Sequence, residues 1–242
     1  MNNIIFITGA SSDIGTEFIR SIKEECLIIA HYNTSSHSLK ELSKELKNTM
    51  IMVKADLSSE EEVEAMLAYI EEKHGIPNKI VHLAASKFEN IRFKNVEWAK
   101  FQKEIEISLK SIVLILNLFL PKLANEKRGK VLIMLSSVTL NVPPKALVSY
   151  TTVKYALLGL MKSLASEYSD KGITINAISP SMVETKFLSE INEKFVEIAA
   201  ASHPLKRNAS IIDIIPAMHL LLSPESDYIN GVNIPITGGS IF

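Results

Sequence analysis

The sequence predicts an α/β fold: a doubly wound, parallel sheet of about seven strands with helices on both faces. Three observations predict it. Strand-like and helix-like segments alternate along all 242 residues. The first six strand-like runs are short and rich in Ile, Val and Leu, the pattern of strands buried on both faces. A glycine-containing loop joins the first strand to the first helix.

In chain order, strands are expected at 3–8, 27–31, 50–54, 79–84, 130–136, 174–178 and 232–236, and helices at 14–25, 38–47, 60–74, 96–125, 149–171 and 211–222. Strands alternating with helices of this length form right-handed βαβ units. Pro143-Pro144 and Pro180 mark loops. No repeat or low-complexity linker interrupts the pattern, so residues 1–242 are expected to form one domain. Residues 182–207, the least regular part of the second half, follow a strand at its C-terminal end, where open α/β sheets bind ligands; they are expected to form a lid over a substrate. The helix around 105–120 is apolar nearly all round beyond Lys110. One stripe suffices to lie on a sheet, so the second apolar face points to a symmetric partner, a homodimer or homotetramer.

Composition narrows the function. Apolar residues make up 47% and charged residues 22%, with 26 basic against 27 acidic side chains. No long run of one charge suggests a nucleic-acid partner. The single cysteine, Cys26, has no partner for an internal disulfide and no cluster for a metal; it is expected to be a small buried residue between a helix and a strand. No leader-like segment precedes the first strand. The longest apolar run, 112–120, contains Asn117 and is short of the roughly 20 residues of a membrane helix. A cytoplasmic protein without a membrane partner is expected.

The loop Thr8-Gly9-Ala10-Ser11-Ser12-Asp13-Ile14-Gly15 carries the first chemical signal. Gly9 permits a sharp turn after the strand, and Gly15 close helix–sheet packing. Backbone N–H groups at the helix start, with the positive end of its dipole, suit a pyrophosphate. This marks a Rossmann dinucleotide site. Asp13 replaces the usual middle glycine and is expected to cap the helix, turning its charge away from the phosphates. The second strand ends in His31-Tyr32-Asn33-Thr34-Ser35-Ser36, without the acid that NAD enzymes use on the ribose 2′-OH. Nothing there repels a 2′-phosphate, so NADP is expected in preference to NAD.

Tyr150 and Lys154, four residues apart on a helix, share one face. A neighbouring ammonium favours a phenolate and brings the phenol towards acid–base strength. Ser136 and Ser137 end a strand at the same sheet edge. Ser137 lies thirteen residues before Tyr150, so one loop can bring their hydroxyls together on a substrate oxygen.

In these residues the chain resembles the short-chain dehydrogenase/reductase family, specifically the branch of the 3-oxoacyl-carrier-protein reductases. The resemblance spans essentially the whole chain. It includes Asp56-Leu57, Asn176-Ala177-Ile178-Ser179-Pro180 and the ending 231–239. It implies an oxidoreductase that transfers hydride between a nicotinamide cofactor and a small carbonyl or alcohol. Tyr150 would be the acid–base residue, Lys154 its modulator and ribose ligand, and Ser137 the carbonyl-orienting hydroxyl. The cofactor would meet Gly9, Ser11, Ser12, Asp13, Ile14 and Gly15 at its pyrophosphate, Asn33, Thr34 and Ser35 near the 2′ position, and Asp56 and Leu57 at adenine. Ala84, Ala85, Pro180, Val183 and Thr185 would line the nicotinamide side. The family's Asn-Asn-Ala-Gly stretch reads His82-Leu83-Ala84-Ala85, its Pro-Gly pair reads Pro180-Ser181, and its catalytic asparagine, which helps hold a relay water, aligns with Ser108. His82 is expected to be a packed, satisfied histidine. These departures leave a second reading: a cofactor-binding regulator or assembly partner with little turnover.

Overall fold

The unbroken apolar run Ile4–Thr8 forms strand β1, buried at every residue. Its side chains alternate between two cores, which explains the continuous pattern. Ile4 and Phe6 enter one core, Ile5 and Ile7 the other. In this computed structural model, which describes residues 3–86, 89–188, 191 and 193–241, the other strands are β2 (Leu27–Tyr32), β3 (Thr49–Lys54), β4 (Lys79–His82), β5 (Gly129–Met134), β6 (Ile173–Pro180) and β7 (Asn233–Ile236). They form one seven-stranded sheet in the order β3-β2-β1-β4-β5-β6-β7, with every pairing parallel. The expected single doubly wound sheet is therefore present. Connection direction reverses between β1 and β4, and the crevice there is where such sheets bind ligands.

Helices α1 (Asp13–Ser21), α2 (His37–Ser43) and α8 (Ile211–Leu222) cover one face through Phe18, Ile19, Leu39, Leu42, Ile214 and Met218. Helices α3 (Glu60–His74), α5 (Ser111–Glu126) and α6 (Val148–Glu167) cover the other. Helix α3 has the expected limits because both ends are written locally. Ser59 accepts from the Glu62 N–H at 3.2 Å, and Gly75 takes φ 94° at the stop. Helix α1 stops four residues early. Residues 22–25 instead turn into β2, held by Asn48 Nδ2 on the Glu24 carbonyl (2.9 Å) and Asn3 Nδ2 on that of Glu25 (3.3 Å). Cys26 is buried at this handover, as expected.

The long helix corrects the sequence in two ways. Helix α4 (Trp98–Ile105), a π turn (Glu106–Lys110) and α5 run on continuously. Trp98–Glu126 is thus 29 residues, long and apolar enough by length and composition to cross a membrane. Its most apolar side nevertheless lies in the sheet core, where Ile112, Ile115, Leu116, Phe119, Leu120 and Leu123 are buried. Each such side chain gains about 1.5–3 kcal/mol there. The opposite strip is half covered: Leu114 and Leu118 are partly buried, and Val113 is exposed.

The 182–207 segment is more regular than expected. It holds a short 3-10 turn (Lys186–Leu188) and helix α7 (Glu193–Ser202). Ser189, Glu190 and Asn192 of this expected lid lie outside the described residues.

Candidate active site

The C-terminal ends of β1, β4, β5 and β6 bring the sequence-marked residues to one sheet edge. After β1, Gly9 turns with φ 65°, and a Cβ there would stand 3.0 Å from the Ala84 nitrogen. The loops after β1 and β4 therefore touch backbone to backbone, which only glycine allows. A Cβ at Gly15 would stand 2.6 Å from the Ala10 carbonyl oxygen. Gly15 is thus required by the loop's own backbone rather than by helix–sheet packing.

Ser12, not Asp13, caps α1: its hydroxyl accepts from the Gly15 N–H at 3.1 Å. Ser12 has the extended backbone that an N-cap needs, whereas Asp13 is already the first helical residue. The Asp13 carboxylate turns instead to the lid. It accepts from the Lys186 backbone N–H at 2.7 Å and lies 3.7 Å from the Lys186 ammonium.

Two buried histidines brace this loop. The Gly9 N–H donates to His31 Nδ1 at 3.1 Å, so the His31 proton sits on Nε2 and donates to the Ala55 carbonyl at 3.0 Å. The Ala84 N–H donates to Thr8 Oγ1 at 3.4 Å, and the Thr8 hydroxyl donates to His82 Nδ1 at 2.8 Å. His82 Nε2–H then donates to the Ser108 carbonyl at 2.8 Å. This relay of donors joins β1, β4 and the π turn. Burial pushes His82 down to about 3 and also lowers His31, so both rings are neutral. His82 is the packed, satisfied histidine that its strand-end position suggests.

At the end of β5, Ser136 caps the 3-10 turn Ser137–Thr139. Ser136 is close enough to the Tyr150 phenol to act on its pKa, in the lowering direction, and Ser137 is the next residue, half-buried at the same edge. Ser136 has extended backbone, and Ser137 is the first residue of the turn. Lys154 is buried below the tyrosine, donating to the Met134 carbonyl at 2.8 Å, with its ammonium 5.6 Å from the Tyr150 ring centre. Burial dominates the electrostatics. It pushes Tyr150 up to about 12 and Lys154 down to about 8. Burial thus outweighs the lowering of the phenol expected from its neighbours.

One participant has no signal in the sequence. The Glu104 carboxylate, on α4, accepts from the Ser149 hydroxyl and is close enough to raise both Tyr150 and Lys154. Its own pKa is raised, mainly by burial. Ser108 lies in the π turn, 2% exposed, and its backbone carbonyl rather than its side chain is what meets the neighbouring strand.

The remaining cofactor candidates line the same edge. Asn33, Thr34 and Ser35 are exposed beyond β2. The Asp56 carboxylate accepts from the Ser58 N–H (2.9 Å) and hydroxyl (2.7 Å), which hold its pKa down. The Leu57 side chain is in the core, which leaves only its backbone for an adenine. Ala84 is buried and Ala85 half-buried beside Gly9. Pro180 closes β6, Val183 bridges to Ala209, and Thr185 Oγ1 reaches the Val183 carbonyl at 3.5 Å. Among the described residues no group of His, Cys, Asp and Glu is arranged to hold a metal.

Comparison with known proteins places this arrangement in a class. Residues 9–240 match the family model described as enoyl-(acyl carrier protein) reductase. The chain belongs to this family, a branch of the short-chain dehydrogenases/reductases, which are nicotinamide-dependent oxidoreductases. It is 27% identical over 243 residues to a 3-oxoacyl-[acyl-carrier-protein] reductase of Buchnera aphidicola subsp. Baizongia pistaciae, covering 98% of this chain and 96% of that one. It is 28% identical over 244 residues to an acetoacetyl-CoA reductase of Allochromatium vinosum, covering 99% and 98%. Levodione reductase shares the fold, with a TM-score of 0.87 at 24% identity over 98% of this chain and 96% of that one. So does a gluconate 5-dehydrogenase from Burkholderia cenocepacia solved with NADP and tartrate, with a TM-score of 0.88 at 18% identity over 99% and 95%.

Proposed function

We propose that this protein is a cytoplasmic, NADP-preferring carbonyl reductase or secondary-alcohol dehydrogenase that works as a homo-oligomer. The observation that carries the reading is the convergence of Ser136 and Ser137, Tyr150 and Lys154 at the sheet edge that also holds the Gly9–Gly15 loop. The fit to a dinucleotide is local. An ammonium has three donors, so Lys154 retains two for a ribose beyond the one on Met134. The exposed amide and hydroxyls of Asn33–Ser35, with no acid among them, favour a 2′-phosphate. The NADP complex of the gluconate 5-dehydrogenase is consistent with this.

NADPH, when bound, would supply the hydride for the substrate carbonyl carbon. The protein's part is alignment and a proton. Ser137, with Ser136 beside it, holds the carbonyl oxygen, and Tyr150 donates its phenolic proton to that oxygen. A phenol held near 12 stays protonated at neutral pH, which suits reduction more than oxidation. Ser108, whose carbonyl takes the His82 Nε2–H, stands where the family's asparagine helps hold a relay water and would serve in its place. The Tyr-x-x-x-Lys spacing matches the carbonyl-reducing relatives rather than the wider spacing of enoyl reductases. The partly covered strip of α5 around Val113, Leu114 and Leu118 favours a second copy of the chain.

A panel of ketones, 3-oxoacyl thioesters and oxidised sugars, followed by NADPH absorbance, tests the reading. Consumption with at least one carbonyl is expected. Tight NADPH binding without consumption across the panel, unaffected by Tyr150→Phe, would favour the regulator reading. Glu104→Gln offers a finer check. Glu104 raises both Tyr150 and Lys154, so its neutralisation is expected to move the alkaline fall in kcat/KM to lower pH. An unmoved alkaline limb would remove Glu104 from the site.

A further inference from the structure

We propose that Asp13 is a latch between the phosphate loop and the lid, and that this latch sets how fast the nicotinamide cofactor leaves. The proposal rests on the reading above for the cofactor's identity, but the Asp13–Lys186 bond belongs to the protein's own fold. Asp13 and Lys186 are 173 residues apart in sequence, yet the carboxylate accepts from the Lys186 backbone N–H at 2.7 Å. A hydrogen bond to an ionised acceptor is among the stronger kinds. The donor is backbone, so the bond does not depend on the lysine side chain. The ammonium, 3.7 Å away and on a side chain 92% exposed, is a weak second arm.

The segment is fixed on its other side as well. The Glu184 N–H donates to the Ala209 carbonyl and the Ala209 N–H to the Met182 carbonyl, both at 3.0 Å. Leu188 N–H closes the turn on the Thr185 carbonyl at 3.0 Å. Residues 184–188 therefore form a strap from the end of β6 to the first residue of α1, whose start is the pyrophosphate end of the site. A dinucleotide seated on that helix start would be held by this strap, and opening of the Asp13 bond would precede its release. Glycine at position 13 has no side chain to make this bond. Asp13 thus exchanges a residue indifferent to phosphate for a tether.

A purely electrostatic role makes the opposite claim. A carboxylate beside a pyrophosphate repels it, so removing the charge then tightens binding and slows release. The signs separate the two. Stopped-flow release of NADPH, followed by its fluorescence, is expected to be about tenfold faster in Asp13→Gly and faster in Asp13→Ala. In Asp13→Asn, which keeps an acceptor, the change is expected to be smaller. In Lys186→Ala, which keeps the backbone donor, release is expected to stay within about twofold. Slower release in Asp13→Gly overturns the latch.

Amide exchange in the cofactor-free protein gives an independent reading. The Lys186 amide is expected to be protected in the parent and in Lys186→Ala, and to exchange about tenfold faster in Asp13→Gly. Equal exchange in Asp13→Gly and the parent also overturns the latch. A parent that fails to bind NADPH, yet shows the Asp13-dependent protection, instead overturns the cofactor assignment and leaves the strap in place.

Discussion

Replacing Tyr150 with Phe is expected to lower carbonyl reduction by about a thousandfold while NADPH binding changes by no more than a few-fold. The substitution removes one oxygen and keeps the ring that packs near the Lys154 ammonium. On the proposed reading it removes the donor that completes the substrate alcohol, and a positioned acid contributes about 10²–10⁴-fold. Lys154→Ala is the contrasting variant. Its ammonium is buried on the Met134 carbonyl and retains donors for a ribose, so its loss is expected to weaken NADPH binding as well as turnover. Fluorescence titration beside steady-state kinetics separates the two. A Tyr150→Phe protein with parental kcat would mean that another group supplies the proton.

Acid is expected to destabilise this protein well above the usual carboxylate range, through His82. Its folded pKa of about 3 is below the unfolded value near 6.5. The unfolded chain therefore binds more protons throughout that window. The stabilisation is complete above about pH 6.5 and is lost as pH falls towards 3. The loss between pH 6.5 and 4.5 amounts to about 2–3 kcal/mol. That is several degrees in Tm for a chain of this size. His31, also lowered, adds in the same direction, whereas Glu104, with a raised pKa, opposes it. His82→Asn removes the titrating ring, so its stability is expected to fall less steeply across this window even if its absolute stability is lower. Calorimetry of both proteins between pH 4.5 and 7 checks this, and equal slopes would contradict it. The same ring donates to the carbonyl in the π turn, so loss of the fold and of the site's geometry should track each other in acid.

The elements were legible because their signals are local. Ile4–Thr8 is a buried apolar run, and α3 begins at a serine and stops at a glycine in the left-handed region. The π turn Glu106–Lys110 has no such mark. It is held from a distance, by His82 on the Ser108 carbonyl, and locally by the Ser111 hydroxyl on the Ile107 carbonyl at 2.5 Å. The site was legible in part for the same reason. Gly9, Tyr150 and Lys154 are placed by a loop between adjacent elements or by the pitch of one helix. Ser136 joins Ser137 at this edge because it caps the turn that Ser137 begins, and a cap after a strand end is not marked by spacing. Glu104 and the Asp13–Lys186 bond join elements distant in sequence. The aspartate at position 13 suggested a helix cap, because a cap is what local chemistry offers a carboxylate at a helix start. Its partner lies on the far side of the sheet edge in sequence, where no spacing rule reaches.

A crystal structure with NADPH tests the central claim most directly. The account expects the dinucleotide to lie across the Gly9–Gly15 loop, its nicotinamide ring facing the Tyr150 hydroxyl and its ribose on Lys154. A phenol turned out of that cleft, or a cofactor bound elsewhere, would contradict it.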